Sequence, residues 1–201
     1  MKRFALIAGL LLASAAAHAQ PVSGWYGPLL LVTDGDRLSG VVADMARGNG
    51  TEDAPQFLCV SFIKGRFNGG VADIEAWLPD DSERIAGTLR MEEADIRVQL
   101  SDNPPGCAMI SSMNGEGQRW WLEEAHPDWI GVGLVAAERA VLYPEPTEDA
   151  DRERPYLIEW QAVAVLQQRE SWVQVEYVAV EPAIRGWVKS SDLALASPSG
   201  E

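Results

Sequence analysis

Hydrophobic and polar residues alternate with a period of two along most of this chain. Ile96, Val98 and Leu100 alternate with Arg97, Gln99 and Ser101, the pattern of a strand with one buried face. Ile85, Gly87, Leu89 and Met91 alternate in the same way with Arg84, Ala86, Thr88 and Arg90. The polar connection Glu92-Glu93-Ala94-Asp95 between these runs predicts an antiparallel hairpin. Asp34-Gly35 predicts a second hairpin, between Leu29–Val32 and Leu38–Val42. Phe57–Phe67 and Val71–Leu78 are two further strands joined at Asn68-Gly69-Gly70. Cys107–Ser111 and Arg119–Leu122 continue the series on either side of Asn114-Gly115-Glu116-Gly117. In the last of these runs Trp120 and Trp121 point to opposite faces. No window carries a sustained helical stripe. The expectation is an all-β chain whose first half, from Gly24 to Glu124, is an antiparallel meander. About eight strands suffice to close a small barrel, and a two-sheet sandwich is the close rival.

The first nineteen residues are patterned differently. Lys2 and Arg3 precede an apolar run from Phe4 to Ala17, and Ala17-His18-Ala19 offers small residues at the positions a signal peptidase reads. Residues 1–19 are therefore expected to be a signal peptide, cut after Ala19, which places the protein in the periplasm or outside the cell. Gln20 is not a lipid-accepting cysteine, and no later stretch is apolar over the length a bilayer demands. Membrane insertion is not expected.

Charge and chemistry narrow the classes further. The chain has 16 Lys and Arg against 30 Asp and Glu, a formal charge of −14. Loss of Lys2 and Arg3 would make the exported form more acidic still. Such a chain gains no counterion-release energy on nucleic acid. It suits a basic protein partner, or simply solubility. Cys59 and Cys107 are the only cysteines, and an even pair in an exported protein predicts one disulfide. His126 is the only histidine after the signal, and it lies in a polar connecting segment where a structural or surface role is expected. No nucleophile with a base in reach can be picked out. Asp34-Gly35-Asp36 lacks the ligand count of a calcium loop, and Asn49-Gly50-Thr51 is expected to be a turn. The expectation is a protein that is not an enzyme and has no cofactor and no metal.

Glu124-Ala125-His126-Pro127-Asp128 divides the chain, because proline breaks strand pairing. Domains are expected over residues 20–124 and 129–196. In the second, four segments occur in order: Arg139-Ala140-Val141-Leu142-Tyr143, Trp160–Leu166, Trp172–Tyr177 and Gly186-Trp187-Val188, followed by Ser190–Leu193. This series resembles the bacterial SH3-like (SH3b) domain, with its middle strand, its "gWykV.y" strand, its closing "GWV" and a short helical cap. The first strand departs from the family's Asn-x-Arg, Glu159-Trp160 replaces a glycine, and the Val178–Arg185 loop is longer than usual. The resemblance implies an SH3-like barrel that binds rather than catalyses, with peptidoglycan or an envelope protein as partner. Within Trp172–Tyr177, alternation assigns Val173, Val175 and Tyr177 to the core, and Trp172, Gln174 and Glu176 to the other face. Tyr143, Trp160, Trp172 and Trp187 are the candidate binding residues. A stacking platform for a sugar or a proline-rich peptide at Trp172 and Tyr143 is one reading. The other is that Trp172 and Trp187 cap the barrel. The strong acidity supports an alternative function, a periplasmic inhibitor or immunity protein that neutralises a basic lytic enzyme or toxin.

Overall fold

The computed structural model describes residues 20–46, 48, 51, 53, 55–148 and 154–199. Residues 1–19, expected to be a signal peptide, and Asn49-Gly50, expected to lie in a turn, are outside the described residues. The fold is all-β, built from antiparallel sheets. Among the described residues no helix is long and apolar enough to cross a membrane.

The first half is the expected meander. Its strands are β1 (Gly24–Tyr26), β2 (Leu29–Asp34), β3 (Arg37–Ala46), β4 (Phe57–Asn68), β5 (Val71–Trp77), β6 (Ile85–Glu92), β7 (Asp95–Leu100), β8 (Gln118–Trp120) and β9 (Glu124–Ala125). They lie side by side in the order β8-β7-β6-β5-β4-β3-β2-β1-β9. β8 and β9 are the two edges of this sheet, yet only residues 121–123 separate them along the chain. The sheet is accordingly curled into a half-barrel. Alternation decides what fills it. Ala72, Ile74 and Ala76 of β5 and Ile96, Val98 and Leu100 of β7 point inward, together with Leu29, Leu31, Ile63 and Leu89. Trp120 is buried there, while Trp121 is 60% exposed.

Cys59 and Cys107 form a disulfide inside this core and are fully buried. Their surroundings correct one expectation. Cys107–Ser111 is not a strand, and a 3₁₀ turn covers Cys107–Met109. Pro104 and Pro105 remove two backbone donors, and Gly106 takes φ 80° to turn the chain inward. The N–H groups of Ile110 and Ser111 both donate to the Cys107 carbonyl, so they are not offered to a neighbouring strand.

The second half has β10 (Gly131–Val135), a β11–β12 hairpin (Arg139–Val141 and Tyr156–Ile158), β13 (Ala162–Arg169), β14 (Trp172–Tyr177), β15 (Ile184–Lys189) and β16 (Leu193–Ala196). The main sheet runs β15-β14-β13-β10-β16, with a 3₁₀ turn over Ser190–Asp192 before the last strand. One face packs on the small β11–β12 sheet through Ala140, Leu142, Leu157, Val163, Val173, Val175 and Val188. The other face packs on the outside of the half-barrel. Leu30, Val32, Val41, Val60 and Phe62 from the first half share one core with Trp129, Val132, Leu134 and Ala164 from the second. This shared layer explains why Leu29–Val32 and Gly131–Val135 are buried at every position. A strand covered on both faces loses its polar alternate positions.

Candidate binding surface

Two of the candidate aromatic residues belong to the outward face of the second sheet. The β14–β15 register sets Trp172 opposite Lys189, and Gln174 opposite Trp187. Directly opposite residues in an antiparallel pair share a face. Val173, Val175 and Val188 take the other face and fill the core. Tyr143 is pinned to this surface by its backbone. Its N–H donates to the Trp187 carbonyl at 2.8 Å, and its own carbonyl accepts from the Trp187 N–H at 2.7 Å. Gly186 permits that approach, because a Cβ there would stand 3.0 Å from the Leu142 side chain and 3.3 Å from the Tyr143 carbonyl oxygen. The glycine of the Gly186-Trp187-Val188 segment thus seats Tyr143.

The rings of Tyr143 and Trp172 meet edge to face, with centroids 5.0 Å apart and planes at 80°. Both are half-buried, so each keeps part of its ring in solvent. Trp187 is only 5% exposed, and Arg169 lies over its ring at 5.3 Å. It forms the floor of the surface. The Arg154 guanidinium stands 5.0 Å from the Tyr143 centroid. Lys189 Nζ pairs with Glu148 at 2.6 Å, and that hydrogen bond raises the ammonium pKa above its ordinary value. The result is an aromatic pair framed by cations in an acidic chain. It can pack against the apolar face of a sugar ring or a proline, with donors at hand for the polar rim of such a ligand.

The structure does not bring Trp160 to this surface. β13 begins at Ala162, and Trp160 sits in the preceding turn with φ 69°. Its side chain packs against the core shared by the two halves.

Glu176 corrects a second expectation. It lies on the face assigned to solvent, yet it is 3% exposed. Trp129 Nε1 donates to Glu176 Oε2 at 2.7 Å, and Arg185 Nε donates to Oε1 at 2.6 Å. His126 stacks on the Trp129 indole at 4.2 Å with planes 3° apart, and its Nδ1 lies 3.7 Å from Glu176 Oε2. The connecting segment therefore closes over β14 and covers the carboxylate. Burial works against the charged form. The hydrogen bonds from Trp129 and Arg185, with the charges of Arg185 and His126, outweigh it and hold the carboxyl below its ordinary pKa. His126 has a structural partner set, and the two cysteines are bridged to each other. Among the described residues no group of three or more His, Cys, Asp or Glu side chains is placed to hold a metal ion.

Comparison of the chain with protein-family models, with curated proteins and with solved structures finds no match.

Proposed function

We propose that this chain is a non-catalytic binding protein exported to the cell envelope, and that its C-terminal half is an SH3-like module docking peptidoglycan through the Tyr143–Trp172 surface. The observation that carries the proposal is the edge-to-face contact of these two half-buried rings at 5.0 Å, held by the paired hydrogen bonds between Tyr143 and Trp187. The order of elements in the half supports the SH3-like reading. A small hairpin is followed by the β13–β14–β15 meander, a 3₁₀ turn and a last strand that pairs back onto β10. The export signal at residues 1–19 and the single disulfide support an oxidising compartment.

Sedimentation with purified sacculi tests the proposal. The wild-type chain is expected to pellet with the wall polymer at low salt. Trp172→Ala is expected to weaken that binding by about tenfold or more, as loss of a central tryptophan does at other binding surfaces. No co-sedimentation of the wild type at low salt would end this reading. The formal charge of −14 supports a second one, an inhibitor of a basic envelope enzyme or toxin. Affinity capture that returns one basic protein, released by salt, would move the assignment there.

A further inference from the structure

We infer that the Tyr143–Trp172 surface continues over the outward face of the β11–β12 hairpin, and that the whole strip holds a glycan strand by its sugars rather than by attached peptides. This assignment presupposes peptidoglycan as the ligand and narrows it to one part of that polymer.

Alternation fixes the strip. Ala140, Leu142 and Leu157 point into the core of the second half, so Arg139, Val141, Tyr143, Tyr156 and Ile158 point away from it. The hairpin register sets Arg139 opposite Ile158, and Val141 opposite Tyr156. The Leu142 N–H donates to the Pro155 carbonyl at 2.9 Å. That bond carries the pairing one step further and brings Arg154 beside Tyr143. Tyr156 is 49% exposed and Ile158 51% exposed. Arg139 lies over the Tyr156 ring at 3.9 Å, as Arg154 lies over Tyr143 at 5.0 Å. A tyrosine with an arginine on its ring thus occurs twice on one face. The four steps from Tyr143 to Arg139 span about 13 Å in an extended strand. Trp172 lengthens the row at its other end, 5.0 Å from Tyr143. A ligand that covers this row has several rings in line.

The backbone gives a peptide little to hold here. Extended peptides take hold of a sheet by main-chain hydrogen bonds at an open edge. On the β12 edge, the Ile158 N–H donates to Gln161 Oε1 at 2.9 Å, and the Ile158 carbonyl accepts from the Gln161 N–H at 3.2 Å. Leu157 faces Ala140 across the hairpin, which leaves Tyr156 as the one β12 residue open to an added strand. Charge gives the acidic groups of a stem peptide no advantage either. Glu138 and Glu159 border the strip, and Glu148 holds Lys189. What the strip offers is flat rings and side-chain donors. A sugar ring presents an apolar face to a tyrosine or tryptophan and oxygens around its rim. A guanidinium stacked on a ring keeps its in-plane N–H donors for such oxygens. Val141 and Ile158 supply apolar ground between the rings.

Isothermal titration of the whole exported chain with peptidoglycan glycan fragments freed of their peptides tests the inference. An octasaccharide is expected to bind at least about tenfold more tightly than a disaccharide. Tyr156→Ala, on the outward face and clear of the core, is expected to weaken the octasaccharide about tenfold and the disaccharide less than about twofold. Tyr156→Phe keeps the ring beneath Arg139 and is expected to retain the wild-type affinity. Equal affinity for the two lengths would overturn the inference, as would octasaccharide binding unmoved by Tyr156→Ala. So would a free stem peptide that binds where the peptide-free octasaccharide does not. Any of these results, with the wild type still pelleting on sacculi and Trp172→Ala failing to, removes the glycan assignment and leaves the peptidoglycan reading standing. A wild type that does not pellet removes the reading beneath it.

Discussion

Replacing Cys59 and Cys107 together by alanine is expected to lower the free energy of unfolding by about 4 kcal/mol. The two residues are 48 positions apart, and the loop they close contains β5, β6 and β7. In the chain-entropy account, a cross-link of that span removes conformations mainly from the unfolded chain. Few side-chain polar contacts hold the Cys107 turn. It is fastened by the bridge, by backbone hydrogen bonds to the Cys107 carbonyl, by the Asn103 side-chain oxygen accepting from the N–H groups of Met113 and Asn114, and by the Ser111 hydroxyl donating to the Asp44 carboxylate of β3. The bridge also stands in the inner core beside Ile63 and Met113, so its loss leaves a poorly filled space. The melting temperature should fall by roughly 8–16 °C, given a few degrees per kcal/mol for a chain of this size. Reductant should lower the wild-type value and leave the double variant unmoved. A loss below about 1 kcal/mol in urea titration would show that the bridge adds little to a core already complete without it.

Glu176→Ala is expected to cost about 3 kcal/mol. The carboxylate lies at the seam of the two halves and accepts from Trp129 and Arg185 at once. Arg185 is 60% exposed and can turn to water when its partner is removed. Trp129 is 3% exposed, so its indole N–H would be left buried and unpaired, and that is the larger part of the loss. Glu176→Gln keeps one acceptor and should lose less. The pH dependence has a definite sign. The folded carboxyl has a lowered pKa, so the unfolded chain binds more protons as pH falls through the ordinary carboxylate value near ~4.3. The contribution of Glu176 is thus fully present above that value. It declines as pH drops through it and is gone below the folded pKa. Urea titrations at neutral pH and near ~pH 3 check this. The stability gap between wild type and Glu176→Gln should narrow on acidification. An equal gap at both values would exclude a charged carboxylate at the seam.

The strands from β5 to β7 were legible because each presents one face to the core and a more exposed polar face, as Ile96, Val98 and Leu100 do against Arg97 and Gln99. The turn at Cys107 was not, because Cys107-Ala108-Met109-Ile110 is apolar without a period. Its signal was the Pro104-Pro105-Gly106 run ahead of it. Glu176 was misread for a different reason. A single strand shows which residues share a face, and nothing in Trp172–Tyr177 says that the opposite face is covered too. That cover comes from the His126–Trp129 segment and from the seating of one sheet on another. The unbroken apolar runs at Leu29–Val32 and Ile130–Val135 were the available sign of such a layer. Trp160 was drawn into β13 by the apolar residues after it, whereas its positive φ ends the preceding hairpin connection. The Tyr143–Trp172 pair rests on Gly186, whose missing side chain lets the Tyr143 backbone lie against β15.

The central claim is that wall polymer is held at the Tyr143–Trp172 surface, and NMR of the labelled protein titrated with solubilised peptidoglycan fragments tests it most directly. The prediction is that the signals of the Trp172 indole, the Tyr143 ring and Lys189 shift together and saturate, while the indole signals of Trp129 and Trp160, packed in the core between the halves, stay in place. Fragments that leave Trp172 and Tyr143 unmoved, whether by shifting other residues or none, would contradict the account.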